Sequence, residues 1–98
     1  MASPKTEQTS GYLATEVAED AVVRLAKING QVQGISRMIR DGRYCVDVLD
    51  QIASAQKALD GVARQVMRNY LERCVTEAIK GDDPDIYDEL MKVLFRHR

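Results

Sequence analysis

The sequence predicts an all-α protein with three helices, of which the central one is by far the longest. Apolar residues recur at spacings of three and four in three successive segments, and no segment alternates apolar and polar residues as a strand does. Turn-forming residues separate these segments at Asp41-Gly42 and from Gly81 to Pro84. A chain of 98 residues is short for more than one domain. We therefore expect a single helical domain over residues 14–98.

Residues 1–13 differ in composition from the rest of the chain, with Pro4, Gly11 and several small polar side chains. We interpret them as a flexible N-terminal tail. The tail lacks the apolar stretch of a secretory signal, and no apolar run is long enough to span a membrane. We therefore expect a cytoplasmic protein without a membrane partner. In that reducing compartment, cysteines are more often reactive or metal-binding than joined in a structural disulfide.

The first predicted helix begins near Thr15 and ends at Asp41-Gly42, where Gly42 caps its C-terminus. Gly30 and Gly34 each weaken this helix by about 1 kcal/mol relative to alanine. Because they lie four residues apart, they leave a smooth strip that another backbone can approach closely. The apolar face of this helix comprises Leu25, Ile28, Val32, Ile35 and Ile39.

The second predicted helix runs from about Tyr44-Cys45 to Gly81, roughly 36 residues and about 54 Å in length. A domain of this size cannot cover such a helix, so we expect a second subunit to pack along it. Its apolar face comprises Val48, Ile52, Ala55, Leu59, Val62 and Val66. A short third helix follows the start signal Asp82-Asp83-Pro84. Its apolar face comprises Ile86, Leu90, Val93 and Leu94.

The two cysteines, Cys45 and Cys74, fall on the same predicted helix, 29 residues apart. In a continuous α-helix they are about 43 Å apart and only about 20° apart around the axis, so they cannot meet within one chain. Two such helices packed antiparallel place Cys45 of one chain beside the partner's Cys74, twice per dimer by two-fold symmetry. The alternative is that both cysteines are small buried apolar residues.

The surroundings of the cysteines favour reactive thiolates. Cys45 lies at a predicted helix N-terminus with Arg43 close by, and Arg73 adjoins Cys74; each of these features stabilises a negative charge. Tyr70 lies one helical turn before Cys74. Its ring can form the wall of a pocket, and its hydroxyl can donate a hydrogen bond to a thiolate.

The stretch RLAKINGQVQGISRMIRDGRYCVDVLDQIASAQKAL, residues 24–59, followed by Cys74, resembles the CsoR/RcnR family of bacterial repressors. The resemblance covers roughly residues 20–95. It implies a three-helix protomer, an antiparallel dimer that assembles into a dimer of dimers, and binding of operator DNA without a helix-turn-helix. It also implies that an inducer at the inter-subunit thiols, Cys45 and the partner's Cys74, releases the DNA.

The sequence departs from the family at Tyr70, where metal-sensing members have histidine. The only histidine in the chain is His97, and Leu13 occupies the place of a further N-terminal ligand. These residues disfavour nickel and cobalt, which prefer imidazole-rich sites, but disfavour copper only weakly, because two thiolates alone can hold Cu(I).

The CstR-like persulfide-sensing branch keeps both cysteines and lacks the histidine, and the sequence resembles it most. The resemblance thus predicts a repressor, with no required cofactor, whose Cys45–Cys74 dithiol reacts with sulfane sulfur to form di- or polysulfide crosslinks that release DNA. The alternative is a Cu(I)-responsive repressor that uses the two thiolates as metal ligands. Tyr44, Tyr70 and Glu89 are candidates to surround the thiols in either case.

Basic residues concentrate in the middle of the chain: residues 21–73 carry nine basic and five acidic side chains, whereas both ends are acidic. Such a pattern is consistent with a DNA phosphate surface, and equally with ion pairs to Asp47, Asp50 and Asp60. The residues predicted to contact DNA are Arg24, Lys27, Arg37, Arg40, Lys57 and Arg64. Arg43 and Arg68 extend the same basic ridges.

An enzyme is not expected, because no histidine, serine or carboxylate constellation accompanies the thiols. A further alternative is a structural dimerisation module in which both cysteines are inert. Alkylation of the folded protein distinguishes inert from sensing cysteines.

Overall fold

A computed structural model describes residues 13–96 of the chain, all of whose regular structure is helical. Cys45 to Lys80 form one continuous helical stretch, so the described residues contain three helices and no strand, as predicted. The elements are α1 (Thr15–Arg40), α2 (Cys45–Asn69), a π-helical segment (Tyr70–Val75), α3 (Thr76–Lys80) and α4 (Ile86–Arg96).

The turn after α1 has the hydrogen bonds of a Schellman motif. The N–H of Arg43 donates to the carbonyl of Met38 at 2.9 Å, and the N–H of Gly42 donates to the carbonyl of Ile39 at 3.2 Å. Gly42 has a φ of 69°, in the left-handed region that glycine adopts without steric cost. The predicted end of the first helix is confirmed, and this motif forms the turn between the end of α1 and the start of α2.

The end of α3 repeats this motif with a different residue in the strained position. Asp83 N–H donates to the carbonyl of Ala78 at 2.9 Å, and Asp82 N–H donates to that of Ile79 at 3.1 Å. The left-handed residue is Asp82, with a φ of 55°, whereas Gly81 before it has a φ of −86°. Gly81 therefore ends the helix, as predicted, but the residue after it adopts the left-handed conformation.

The described chain divides into two compact units. The first, which we call the α1–α2 unit, is Thr15–Val66; its core is a cluster of Ala21, Ile28 and Val62. The second, the C-terminal unit, comprises residues 13–14 and 67–96, and it buries Val75 and Ile86. The single domain expected over residues 14–98 stays a prediction. Most of the predicted tail, residues 1–12, and His97 lie outside the described residues.

Among the described residues, much of the predicted apolar surface is exposed. On α1 the side chains of Leu25, Val32 and Ile39 are exposed, and on α2 so are Leu59 and Val66. Exposed apolar surface of this extent marks an interaction site. On α4, the exposed large apolar residues are Tyr87, Met91, Leu94 and Phe95.

The π-helical segment was not predicted. A π-helix bonds each residue to the one five positions on and has more residues per turn than an α-helix. The angle calculated for Cys74 on a uniform α-helix is therefore wrong beyond Asn69. Just after the segment, Oγ1 of Thr76, the first residue of α3, donates to the carbonyl of Leu71 at 3.1 Å. π-Helical turns inside α-helices occur frequently at functional sites.

None of the helices between residues 13 and 96 combines the length and the hydrophobicity that a membrane span requires.

Candidate functional site

Cys74 lies in the π-helical segment and is partly buried. Burial raises the pKa of the Cys74 thiol, the Arg73 guanidinium lowers it, and the Glu89 carboxylate raises it further; the net shift is upward. The predicted effect of Arg73 is thus present but is outweighed by burial. The thiol is therefore less ionised than an exposed cysteine at the same pH.

The Tyr70 hydroxyl donates to Glu89 Oε2 at 2.6 Å, a short hydrogen bond to a charged acceptor. Burial, this hydrogen bond and the charge of Glu89 raise the pKa of Tyr70 to about 12. The phenol therefore stays protonated near neutral pH. In this structure the Tyr70 hydroxyl donates to Glu89, whereas the sequence analysis considered donation to a thiolate.

Asn69 precedes Tyr70 and is the one buried polar side chain among the described residues. Its Oδ1 accepts a hydrogen bond from the backbone N–H of Ala14 at 3.1 Å. This bond ties the residue before α1 to the last residue of α2. The sequence analysis missed Asn69, although a polar residue between the apolar Val66 and Cys74 positions was a signal that the side chain has a buried partner.

Cys45 is the first residue of α2, as predicted, and its side chain is exposed. It lies at an open, mainly apolar cavity of about 320 Å³, which Ile39 and Leu49 also line. Arg43 comes within 4.0 Å of Asp47, one of the ion pairs considered as an alternative to DNA contact. The cavity leaves one side of the thiol accessible.

No group of three or more histidine, cysteine, aspartate or glutamate side chains that could hold a metal ion occurs between residues 13 and 96. Cys45 belongs to the α1–α2 unit and Cys74 to the C-terminal unit, and neither forms a disulfide. Tyr44, next to Cys45, is exposed. Of the three residues predicted to surround the thiols, the structure thus brings together Tyr70 and Glu89.

Three of the predicted DNA-contacting residues line one cavity in the α1–α2 unit. Arg24 and Lys27 of α1 and Lys57 of α2 surround this opening of about 480 Å³, which we call the cationic cavity. Arg37 lines a second cavity, of about 350 Å³, together with Arg43. The remaining two predicted residues, Arg40 and Arg64, are exposed.

The ion pair of Arg24 was not predicted. Arg24 Nε donates to Asp20 Oδ2 at 2.7 Å, and Gln65 Nε2 of α2 donates to the same oxygen at 2.7 Å. The hydrogen bonds from Arg24 and Gln65 hold the pKa of Asp20 below its usual value. Asp20 lies four residues before Arg24, a recognisable spacing for an ion pair, but nothing in the sequence indicated the bond from Gln65.

Comparisons with known proteins identify the family. Residues 18–96 match the family described as metal-sensitive transcriptional repressor. The chain belongs to this family. Membership confirms the predicted CsoR/RcnR assignment and a repressor rather than an enzyme. The chain is 37% identical to the copper-sensing transcriptional repressor CsoR of Bacillus subtilis, over 88% of this chain and 86% of the relative.

Two further relatives are described as copper-sensing and one as nickel-responsive. The chain is 38% identical to the copper-sensing transcriptional repressor RicR of Mycobacterium tuberculosis, over 78% of this chain and 79% of that protein. The crystal structure of the copper-sensing repressor CsoR with Cu(I) from Geobacillus thermodenitrificans is similar, with a TM-score of 0.78 and 38% identity over 85% of this chain and 88% of that one. The nickel-responsive transcriptional regulator InrS gives a TM-score of 0.71 and 33% identity over 82% of this chain and 91% of its own.

Proposed function

We propose that this repressor responds to Cu(I), with Cys45 of one protomer and the partner's Cys74 as the metal ligands. The similarity to copper-sensing relatives, including a repressor crystallised with Cu(I), is the main support for this proposal. The Cu(I) response, which the sequence analysis gave as the alternative, is therefore favoured over persulfide sensing, which the resemblance to the CstR-like branch predicted.

The donor set fits Cu(I) better than a harder metal. Soft thiolates select Cu(I), whereas nickel sites are rich in imidazole. The Tyr70 phenol is protonated and is bonded to Glu89, so it is not available as a third ligand. We therefore expect two-thiolate coordination. Because burial raises the pKa of Cys74, metal binding must displace a proton from this thiol and should strengthen as the pH rises.

The exposed apolar faces of α1, α2 and α4 support the predicted antiparallel dimer and its assembly into a dimer of dimers. Such a dimer supplies two Cys45–Cys74 pairs, related by two-fold symmetry. Gly30 and Gly61 have open space where a Cβ would point: apart from their chain neighbours and the backbone of their own helix, no described residue comes within 4 Å. The close approach predicted at Gly30 would thus be made by a second subunit.

The basic residues support binding to the phosphates of operator DNA. The cationic cavity brings Arg24, Lys27 and Lys57 together, and repetition across a symmetric assembly would place several such cavities along a duplex. Binding through phosphates releases counterions, so affinity should fall steeply with salt. Arg37, Arg40 and Arg64 are the further residues proposed to contact DNA.

Persulfide sensing is the second candidate, favoured by the absence of an imidazole at Tyr70. A thiolate of Cys45 would attack an organic persulfide, take its outer sulfur and expel the organic thiolate. The partner's Cys74 thiolate would then attack the protein-bound persulfide, forming a disulfide and releasing hydrosulfide. Two protein thiols are oxidised, and the sulfane sulfur is reduced to sulfide.

One experiment separates these candidates. The wild-type protein first selects its preferred duplex from a randomised DNA pool. The reduced complex is then titrated, without oxygen, with Cu(I) or with glutathione persulfide, while DNA release is followed by fluorescence anisotropy and the protein by intact mass spectrometry. We expect release at one Cu(I) per protomer without a covalent change. Release by persulfide alone, with a crosslinked mass, would replace the copper proposal.

Matched variants test the ligand set. Cys45→Ser and Cys74→Ser should each abolish release by Cu(I) while leaving DNA binding intact. Tyr70→Phe should keep the Cu(I) affinity of the wild type, because the phenol is not a ligand, and Tyr70→His should increase it by adding an imidazole. Loss of the Cu(I) response in a folded Tyr70→Phe protein would contradict two-thiolate coordination.

A further inference from the structure

Asp20 accepts a hydrogen bond from Nε of Arg24. The 2.7 Å bond is made by Nε, the guanidinium nitrogen next to the aliphatic chain, so it fixes the plane of the group and leaves the terminal nitrogens farther out along the side chain. Both partners are about half exposed, with side-chain exposures of 54% for Arg24 and 51% for Asp20. An exposed pair of this kind contributes little to stability. Its effect is therefore chiefly on the orientation of Arg24.

Gln65 holds Asp20 from a different helix. Its Nε2 donates at 2.7 Å to the same carboxylate oxygen that accepts from Arg24, so α2 constrains the rotamer of an α1 carboxylate. Gln65 Oε1 is buried and has no hydrogen-bond partner among the described residues. An amide rotated the other way would place Oε1 against the carboxylate, so the charge of Asp20 fixes the direction in which Gln65 points.

Two of the three side chains, Asp20 and Arg24, line the cationic cavity. Lys27 and Lys57 line it as well, so an anion that enters meets three cations and one carboxylate. A carboxylate at such a place weakens anion binding by charge repulsion. The carboxylate of Asp20 also accepts the hydrogen bond from Nε of Arg24, and so orients the guanidinium.

We propose that Asp20, held by Gln65, is a positioning residue that directs the Arg24 guanidinium into the cationic cavity for contact with a DNA phosphate. This inference rests on the DNA binding proposed above. A guanidinium whose plane is fixed in advance loses less side-chain entropy when it binds a phosphate in bidentate fashion.

In the Asp20→Asn variant, the loss of a negative charge and the loss of Arg24 positioning have opposite effects on DNA affinity. Asp20→Asn removes a negative charge near DNA, which by electrostatics alone strengthens binding. Loss of the charged acceptor should instead weaken affinity for the selected duplex by about tenfold. Glu19→Gln is the matched control, since Glu19 is an exposed carboxylate next along α1. We expect that variant to bind as tightly as the wild type or more tightly.

A double-mutant cycle assigns the effect to Arg24. In an Arg24→Ala background, Asp20→Asn should cause no further loss of affinity, since no guanidinium remains to be positioned. Arg24→Ala and Asp20→Asn should each reduce the salt slope by about 0.9, the share of one phosphate contact. Gln65→Met should weaken binding in the same direction as Asp20→Asn, by a smaller factor.

Two readouts separate failure of the inference from failure of the proposed function. If the wild-type protein selects no duplex and shows no salt-dependent binding, the DNA-binding proposal fails and this inference fails with it. If the wild type binds but Asp20→Asn binds as tightly as Glu19→Gln, the inference alone is overturned. Without DNA, the Arg24 Nε–H resonance should exchange slowly in the wild type and rapidly in Asp20→Asn, while the melting temperature changes little.

Discussion

Tyr70 and Glu89 are joined by a 2.6 Å hydrogen bond that links the π-helical segment containing Cys74 to α4. The acidic side chain therefore acts on two neighbours. It raises the pKa of the Tyr70 phenol and also that of the Cys74 thiol. Removing the charge of Glu89 should consequently lower the pKa of both Tyr70 and Cys74, although neither residue is adjacent to Glu89 in sequence.

Tyr70 should titrate at higher pH than an ordinary tyrosine. Its pKa in the folded protein is raised from 10.0 to about 12, so the folded state favours the protonated phenol. The stability from this group is fully present below pH 10 and is lost as the pH rises towards about 12. A phenolate absorbance titration should show a late component that is absent from Tyr70→Phe. A single shared transition near the ordinary value would contradict the bond to Glu89.

Glu89→Gln should make Cys74 more reactive. Removing the carboxylate removes one of the causes that raise the pKa of Cys74, so more thiolate is present at neutral pH. In a Cys45→Ser background, we expect alkylation by iodoacetamide to accelerate about threefold. Arg73→Gln is the opposing control and should slow the reaction, because Arg73 lowers the same pKa. Equal rates in all three proteins would show that these charges do not act on the thiol.

Asn69→Ala should destabilise the protein. The change removes a buried acceptor and leaves the Ala14 N–H without this partner, at a cost of about 2 kcal/mol in the free energy of unfolding. Asn69→Asp keeps the acceptor oxygen and should recover part of the loss. Chemical denaturation followed by circular dichroism measures both. An unchanged midpoint for Asn69→Ala would mean that water replaces the bond at no cost.

Asp82→Gly should stabilise the protein, although aspartate is the natural residue. Asp82 adopts a left-handed φ of 55°, which costs a non-glycine residue about 1 kcal/mol. Gly42→Ala is the reverse case at the matching position after α1, where φ is 69°, and should destabilise by a similar amount. Thermal unfolding should move in opposite directions for the two variants. Destabilisation by Asp82→Gly would show that the aspartate side chain supports the turn.

The helix boundaries could be predicted because local chemistry sets them. Gly42 and the acidic stretch after Gly81 specify turns almost by themselves, and the apolar period identifies the faces of α1 and α2. The π-helical segment could not be predicted, since six residues are too few to reveal a change of period.

The contacts of the candidate site depend on tertiary structure. Glu89 reaches Tyr70 across 19 residues, and Gln65 reaches Asp20 across 45. No pattern in a single sequence indicates such pairs. The sequence analysis named Tyr44, Tyr70 and Glu89 as candidates to surround the thiols, but it did not predict that Tyr70 donates to Glu89.

The exposed apolar faces of α1 and α4 have a consequence for gene dosage. When association covers such faces, the folded fraction follows the law of mass action and rises with protein concentration. If the repressor binds DNA as the proposed assembly, a cell that makes less of it has less DNA-bound protein for two reasons: there are fewer chains, and a smaller fraction of them is assembled. The fraction of operator that is occupied should thus fall more steeply than the protein concentration. This dependence would be steeper than DNA affinity alone would give.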